Sequence, residues 1–233
     1  FFFFFFFFFY LKKKKLNKET LKFLIIFSAL YCGLLIIRNH DDFNYYHLTY
    51  SLGLTENKLF FGLGNFQHGY KHHSSIFFLN SIIYLPFIKY YLFHSISWIT
   101  LLFVNFIILD FILQSKNIKK FNFELFFYIT ALLFINFKFY RIGGHGTDVS
   151  GQLVLLILIP LIYSSIKTKK IDVNLDMVIL LITYVVTLKS FFILNFIFLL
   201  AYGLFFKIKK LVTYIFHSKT IIACLVSIFL LTS

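Results

Sequence analysis

Long apolar runs recur along the whole chain, and they constrain its fold more than any other feature. Runs such as Tyr91 to Leu113 and Phe121 to Phe139 approach the roughly 20 residues that a helix needs to cross the hydrocarbon core of a bilayer. Because 60% of the residues are hydrophobic and only 14% are charged, the chain has too few polar side chains to cover a water-soluble surface. The sequence therefore predicts an all-α, polytopic helical membrane protein rather than a β-barrel, whose alternating strands would run for about 10 residues.

The chain divides into two parts. Residues 1–22 hold a low-complexity phenylalanine run followed by a basic flank, and the run is excluded from the functional argument. Residues 23–233 form the predicted transmembrane helical domain. The last apolar segment, Ile221 to Leu231, is short for a span, so we expect the chain to be a fragment of a longer protein.

Lysine clusters predict the topology of this domain. The net charge of +14 comes largely from lysines in short clusters between the apolar runs. They do not follow one aromatic-studded face, so no nucleic-acid partner is expected. By the positive-inside rule the N-terminal flank is cytoplasmic, as are the clusters within 116–120, 167–170 and 207–210. The pattern predicts a multi-pass protein of the cell membrane, of the bacterial inner-membrane type, with about six to seven spans.

Two apolar segments would reverse this topology if each formed a single span. Ser75 to Ile88 has only 14 residues and an internal proline, so we expect it to lie at the outer surface as a juxtamembrane segment of the first outer loop. Asp176 to Phe206, as one helix, would place the next lysines outside. We therefore expect two short spans that turn at Lys189.

Under this topology the outer side gathers most of the unusual polar residues. The predicted outer parts are the loops 38–74 and 140–150 and the turn near Lys189. The first loop opens with Asp41 and Asp42, although the chain has only nine acidic residues. The second loop contributes Arg141, His145 and Asp148.

These residues carry a resemblance to a known family. Asp41, Asp42 and Tyr45 form a D-[DE]-x-x-Y pattern after the first span, Thr147 and Asp148 form a T-D pair after the third, and Lys189 is a basic residue at a later outer turn. In the order of these motifs along the chain, and in their common location on the predicted outer side of the membrane, the arrangement resembles the C-type glycosyltransferases. Examples are the protein O-mannosyltransferases and the lipid A aminoarabinose transferases. The resemblance covers roughly residues 20 to 206.

Membership of that family would imply transfer of a sugar from a polyprenyl-phosphate donor to an acceptor on the outer face of the membrane. A carboxylate can deprotonate an acceptor hydroxyl or hold a divalent cation, and a cationic group stabilises the phosphate as it leaves. The carboxylates expected to be catalytic are Asp41, Asp42 and Asp148, with Asp41 and Asp148 also the candidate ligands of a divalent metal ion. The expected substrate contacts are Tyr45, Arg141, His145 and Lys189. Membrane lipid and the lipid-linked donor are the expected partners, and the sequence names no acceptor.

Other interpretations stay open at this point. Asp41 or Asp42 could simply cap a helix that begins near Phe43, and the GGHGTD stretch could be only a flexible connection. A lipid flippase or transporter, or a non-catalytic membrane protein, would share the same composition. Coupled transporters place charged groups near the middle of the bilayer, whereas the charges here fall near the ends of the predicted spans.

Overall fold

The computed structural model describes residues 18–35, 41–57, 62–71, 74–114, 123–139, 147–168, 172–205, 223, 224 and 226. Within these ranges the chain is all-helical, as predicted, and contains no β-strand. The α-helices are α1 (Lys18–Leu35), α2 (Leu48–Glu56), α3 (Ser75–Ile82), α4 (Ser95–Gln114), α5 (Phe123–Phe139), α6 (Thr147–Thr168), α7 (Asp172–Leu188) and α8 (Ile197–Phe205). A π-helical turn, Phe43–His47, precedes α2, and 3₁₀ turns cover Leu63–Asn65, His68–Lys71, Tyr90–Leu92 and Ser190–Phe196.

Two stretches are long and apolar enough to cross a bilayer, judged by length and composition. They are Tyr90–Gln114, which contains α4, and Thr147–Ile166, which is most of α6. The apolar helices Leu175–Leu188 and Ser190–Phe205 are shorter. The prediction of six to seven spans is therefore not confirmed by the described residues, while that of apolar helices of membrane-spanning length is confirmed for two.

The main core lies between α4, α5, α6 and α7. Its fully buried side chains are mainly aliphatic and include Val104, Ile108, Ile135, Leu153, Ile157, Leu158, Leu175, Val178 and Ile182, together with the ring of Tyr202 from α8. Asn105 and Asn136 form a polar contact within this apolar region. Asn136 Nδ2 donates to Asn105 Oδ1 at 2.6 Å and to the Leu132 carbonyl at 2.8 Å. Such amide pairs join helices in apolar surroundings, where an unpaired polar group would be costly.

Helices α1 and α4 run antiparallel. Lys22, near the start of α1, contacts Asp110, near the end of α4, with Nζ and Oδ1 2.7 Å apart. At the other end of the pair, Trp98 Nε1 donates a hydrogen bond to the Leu30 carbonyl at 3.0 Å. The predicted topology, in which α1 and α4 are successive spans, requires this antiparallel arrangement.

The segment predicted to lie at the membrane surface contains only a short helix. Helix α3 has eight residues, about 12 Å of length, which is far too short for a hydrocarbon core of about 30 Å. It begins after Ser74, whose hydroxyl accepts a hydrogen bond from the Ile76 N–H at 3.4 Å. The prediction that this segment does not form a span of its own is confirmed.

The helix break predicted at Lys189 is observed, whereas the two short spans predicted on either side of it are not confirmed. Helix α7 ends at Leu188, Lys189 is extended (φ −157°, ψ 128°), and the 3₁₀ turn Ser190–Phe196 follows. The end of α7 is tied to the start of α3, because Thr187 Oγ1 donates to Ser75 Oγ at 3.2 Å. The break therefore brings Lys189 close to the start of α3.

Candidate functional site

A cleft of about 340 Å³ opens where five parts of the chain meet. The parts are the helical segment 41–56, the 3₁₀ turn His68–Lys71, the start of α3, the start of α6 and the end of α7. Its walls combine aromatic, hydroxyl and charged groups. These groups come from positions that are far apart in the sequence, from Asp42 to Ser190.

Several residues singled out in the sequence meet at this cleft. Asp42, Tyr45 and Lys189 line it, as does Thr147 of the T-D pair. Asp41 is exposed and does not line the cleft. Arg141 and His145 lie outside the described residues.

Asp148 does not line the cleft itself but contacts Lys189, which does. The Lys189 Nζ lies 2.6 Å from Asp148 Oδ1 and 2.8 Å from Oδ2, and Thr147 Oγ1 donates to the same carboxylate at 3.3 Å. The Lys189 and Asp148 side chains are 40% and 52% exposed, and ion pairs in such surroundings contribute only about 0.2–1 kcal/mol. An anion entering the cleft can therefore displace Asp148 from Lys189 at little energetic cost.

The acidic pair lies in the first turn of a helical segment. Asp42 has helical dihedral angles (φ −65°, ψ −19°), and its carboxylate accepts no capping hydrogen bond. The capping role considered for this residue is therefore not seen. The π-helical turn that follows, Phe43–His47, is a form that often occurs at functional sites, and it carries Tyr45 and Tyr46 into the cleft.

Tyr46 is a cleft residue that the sequence analysis missed. Burial raises the pKa of its phenol, and the negative charges of Asp42 and Asp148 raise that pKa further. The group therefore stays protonated at neutral pH and can donate a hydrogen bond to a ligand. The motif selects Tyr45, and no spacing rule points to its neighbour. Only its position directly after Tyr45 in the sequence could have indicated that Tyr46 belongs to the site.

Tyr46 is held in place by close packing. Its ring centroid lies 4.3 Å from that of His47 and 6.3 Å from that of Phe77. On the opposite chain segment, a Cβ added to Gly69 would lie 2.5 Å from Tyr46 Cγ. Only glycine allows the His68–Lys71 turn to approach the ring this closely.

The predicted metal ion has no evident set of ligands in the described part of the chain. No group of three or more His, Cys, Asp or Glu side chains converges there. Both oxygens of Asp148 contact the Lys189 ammonium, and Asp41 lies outside the cleft. An ion shared by Asp41 and Asp148 does not fit this arrangement.

Gly151 sets how closely the chain after Lys189 packs on α6. A Cβ added to Gly151 would lie 2.3 Å from Phe192 Cε2, and Phe192 is buried. Because Phe192 follows Lys189 by only three residues, the same contact positions Lys189 beside Asp148. This glycine is therefore a structural requirement of the site.

Gly151→Ala should destabilise the protein by about 1–3 kcal/mol, since the buried ring would have to move. Gly53→Ala is the matched control, because nothing lies within 4 Å of a Cβ at that helical position. That substitution should be neutral or stabilising by up to about 1 kcal/mol. Thermal unfolding of both variants in the same detergent measures the difference, and equal stability of the two would contradict the contact between Phe192 and α6.

Comparison with protein-family models, with curated proteins and with solved structures finds no match for this chain. The resemblance to C-type glycosyltransferases thus stays a prediction. It depends on the order of the motifs and on the residues that meet at the cleft.

Proposed function

We propose that this chain is a multi-pass membrane glycosyltransferase that moves a sugar from a polyprenyl-phosphate donor to an acceptor at the outer face. One observation carries the proposal. Asp42, Thr147 and Lys189, which belong to three separate motifs of the resemblance, line a single cleft. The cleft offers an acid–base group and a cation in one place, as glycosyl transfer from a phosphate requires.

In the proposed reaction, the acceptor hydroxyl attacks the anomeric carbon of the donor sugar. The bond between that carbon and the phosphate oxygen breaks, and the electron pair leaves with the phosphate. The acceptor proton passes to the Asp42 carboxylate. Lys189, released from Asp148, pairs with the negative charge that grows on the leaving phosphate.

Asp42 is better placed for the role of base than the other two candidates. Asp41 is exposed and does not line the cleft, and Asp148 already neutralises Lys189. In this proposal Asp148 is a positioning residue that holds the lysine until the donor arrives. The Tyr46 phenol, which remains protonated, donates to an oxygen of the donor or the acceptor.

The proposed location is the cell membrane, with the N-terminal flank in the cytoplasm and the cleft outside. The lysine clusters of the sequence support this orientation. The antiparallel pair of α1 and α4 supports it too, because Lys22 and Asp110 meet at one end of the pair while the short α3 lies before the other end of α4.

The orientation predicts which positions are accessible from outside the cell. After replacement of Cys32 and Cys224 by serine, single cysteines are placed at Glu56 and Gln114, both of which are exposed. A membrane-impermeant maleimide should label position 56 in intact cells and position 114 only after permeabilisation. Labelling of position 114 alone in intact cells would place the cleft on the cytoplasmic side and overturn the proposed reaction at the outer face.

Activity is tested with the full chain in membranes, offered a panel of polyprenyl-phosphate sugars carrying a radioactive label. A glycosyltransferase should move the label from the lipid to a new product. A flippase should change the leaflet in which the lipid resides while the label stays on it. The second outcome, with no product from any donor, would replace the proposed function by transport.

A further inference from the structure

The turn between α3 and α4 exposes an unusual set of apolar side chains. Phe87 is 98% exposed, the highest value among the large hydrophobic residues of the described chain. Ile82, Leu85, Ile88 and Tyr91 around it are exposed by 41–76%. Other exposed apolar residues lie mainly on the sides of helices, whereas Leu85, Phe87 and Ile88 lie in a short non-helical turn that Ile82 and Tyr91 flank.

Several backbone groups of this turn are paired by hydrogen bonds within it or to the end of α3. The N–H groups of Ile88 and Lys89 both donate to the Leu85 carbonyl, at 2.9 and 2.6 Å. The N–H groups of Tyr84, Tyr91 and Phe93 also donate to carbonyls within the segment, and Pro86 has no N–H to satisfy. These bonds reduce the number of backbone groups that need water, as suits a chain segment close to lipid.

The base of the turn is fixed to the fold. Phe93 is fully buried, and its ring centroid lies 6.2 Å from that of Tyr84 across the base. Lys89 has a positive φ of 56°, a region that residues other than glycine rarely adopt. The base of the turn is therefore packed into the fold, while Phe87 is left exposed.

The residues around the tip have the chemistry of the lipid–water interface. Tyr90 and Tyr91 stack with their ring centroids 4.8 Å apart, and tyrosines are enriched where membrane helices meet the headgroups. Lys89 carries a positive charge on a long apolar stem, which suits contact with phosphate headgroups. The turn leads directly into Tyr90–Gln114, a stretch with the length and composition of a membrane span, so it lies where such a span would meet the bilayer surface.

We propose that this turn is a membrane anchor that inserts Phe87 and its apolar neighbours into the outer leaflet, at the boundary between headgroups and acyl chains. The occupant of the exposed apolar surface is lipid. The turn is not a span, because its non-helical backbone stays at the interface while the side chains enter the acyl region. The inference rests on the membrane location proposed above and is independent of glycosyl transfer.

The anchor would also set the depth of the cleft. Helix α3 connects the two, since Ser74 before its first residue lines the cleft and the turn follows its last residue. The helix is about 12 Å long, so the cleft lies within that distance of the anchored turn. A lipid-linked substrate could then place its headgroup in the cleft while its chain stays in the bilayer.

The test places an environment-sensitive fluorophore on a single cysteine in the full chain, reconstituted in phosphatidylcholine vesicles that contain phosphatidylglycerol. Cys32 and Cys224 are first replaced by serine. The three positions compared are Phe87 in the turn, Phe103 on the exposed side of α4, and Glu56 at the exposed end of α2. Each sample is repeated with lipids that carry a nitroxide quencher either near the headgroup or near the end of the acyl chain.

The label at position 87 should show blue-shifted emission and stronger quenching by the shallow nitroxide than by the deep one. The label at position 103 should be quenched more by the deep nitroxide, and the label at 56 by neither. If 103 behaves as expected but 87 resembles 56, the anchor is wrong while the membrane location stands. If 103 also escapes lipid quenching, the membrane location itself fails, and the anchor with it.

Two further outcomes would overturn the anchor. Deep quenching at 87 equal to that at 103 would make the turn part of a span. Shielding of 87 from both lipid nitroxides and a water-soluble quencher, together with disulfide-linked dimers of the Phe87→Cys chain, would mean that a second copy of the chain covers the surface. A Phe87→Ser variant, labelled at Tyr91→Cys, should lose the shallow quenching seen when Phe87 is present.

Discussion

Lys189→Met should lower sugar transfer by about 100-fold or more, the usual effect of removing one group that stabilises a developing negative charge. The substitution keeps the long apolar stem and removes the ammonium. Because the Lys189–Asp148 pair is partly exposed, its loss should cost no more than about 1 kcal/mol of stability. Folding and membrane insertion should therefore survive while turnover falls. Transfer rates measured over a series of donor concentrations, at equal amounts of protein in the membrane, give the comparison.

Lys138→Met is the matched control for this experiment. Lys138 is also exposed, and its Nζ lies 5.2 Å from the centre of the Phe134 ring, away from the cleft. Transfer by this variant should stay within a few-fold of the parent. If Lys189→Met keeps parental kinetics, Lys189 only supports the helix end or contacts headgroups, and the phosphate-binding half of the proposed site is wrong. Rescue by Lys189→Arg would favour charge over the particular shape of the ammonium.

Asp42→Asn should reduce transfer by about 10²–10⁴-fold, the range expected when a general base is removed. The amide has nearly the size of the carboxylate but cannot accept the acceptor's proton. Asp42 makes no capping hydrogen bond to the helix that it precedes, so the substitution removes no helix cap. Initial rates with a saturating donor, at several acceptor concentrations, separate a chemical effect from weaker binding.

Asp41→Asn provides an unusually close control, because it removes the neighbouring charge from a residue outside the cleft. It should leave transfer within a few-fold of the parent. The reverse result, with Asp41→Asn inactive and Asp42→Asn active, would identify Asp41 as the base. It would also mean that Asp41, and not Asp42, faces the cleft in the active protein. Inactivity of both variants at normal abundance would point to a shared electrostatic role.

The helices could be predicted from the sequence where length and charge alone decide them. Helix α4, at Ser95–Gln114, agrees closely with the predicted Tyr91 to Leu113. The break at Lys189 followed from the positions of the lysines that come after it. The number of membrane spans was harder to predict, because apolar composition does not distinguish a helix that crosses lipid from a shorter one that packs against its neighbours.

The candidate site was only partly predictable, for a geometric reason. Asp41 and Asp42 are adjacent, and successive residues of a helix point about 100° apart, so the sequence could not say which of them faces the cleft. Tyr46 reaches the cleft through a π-helical turn and the close approach of Gly69. The contact between Lys189 and Asp148 depends on how two helix ends meet 41 residues apart. None of these relations follows a local spacing rule.

The hydrogen bond from Trp98 to the Leu30 carbonyl gives the protein a built-in optical reporter. Trp98 is the only tryptophan in the chain, so all indole emission comes from the contact between α1 and α4. Separation of these helices should break the hydrogen bond between the indole N–H and the Leu30 carbonyl and shift the emission. The cleft is lined by tyrosine and phenylalanine and contains no tryptophan. Intrinsic fluorescence therefore reports when the first helix detaches and is blind to ligand entry at the cleft.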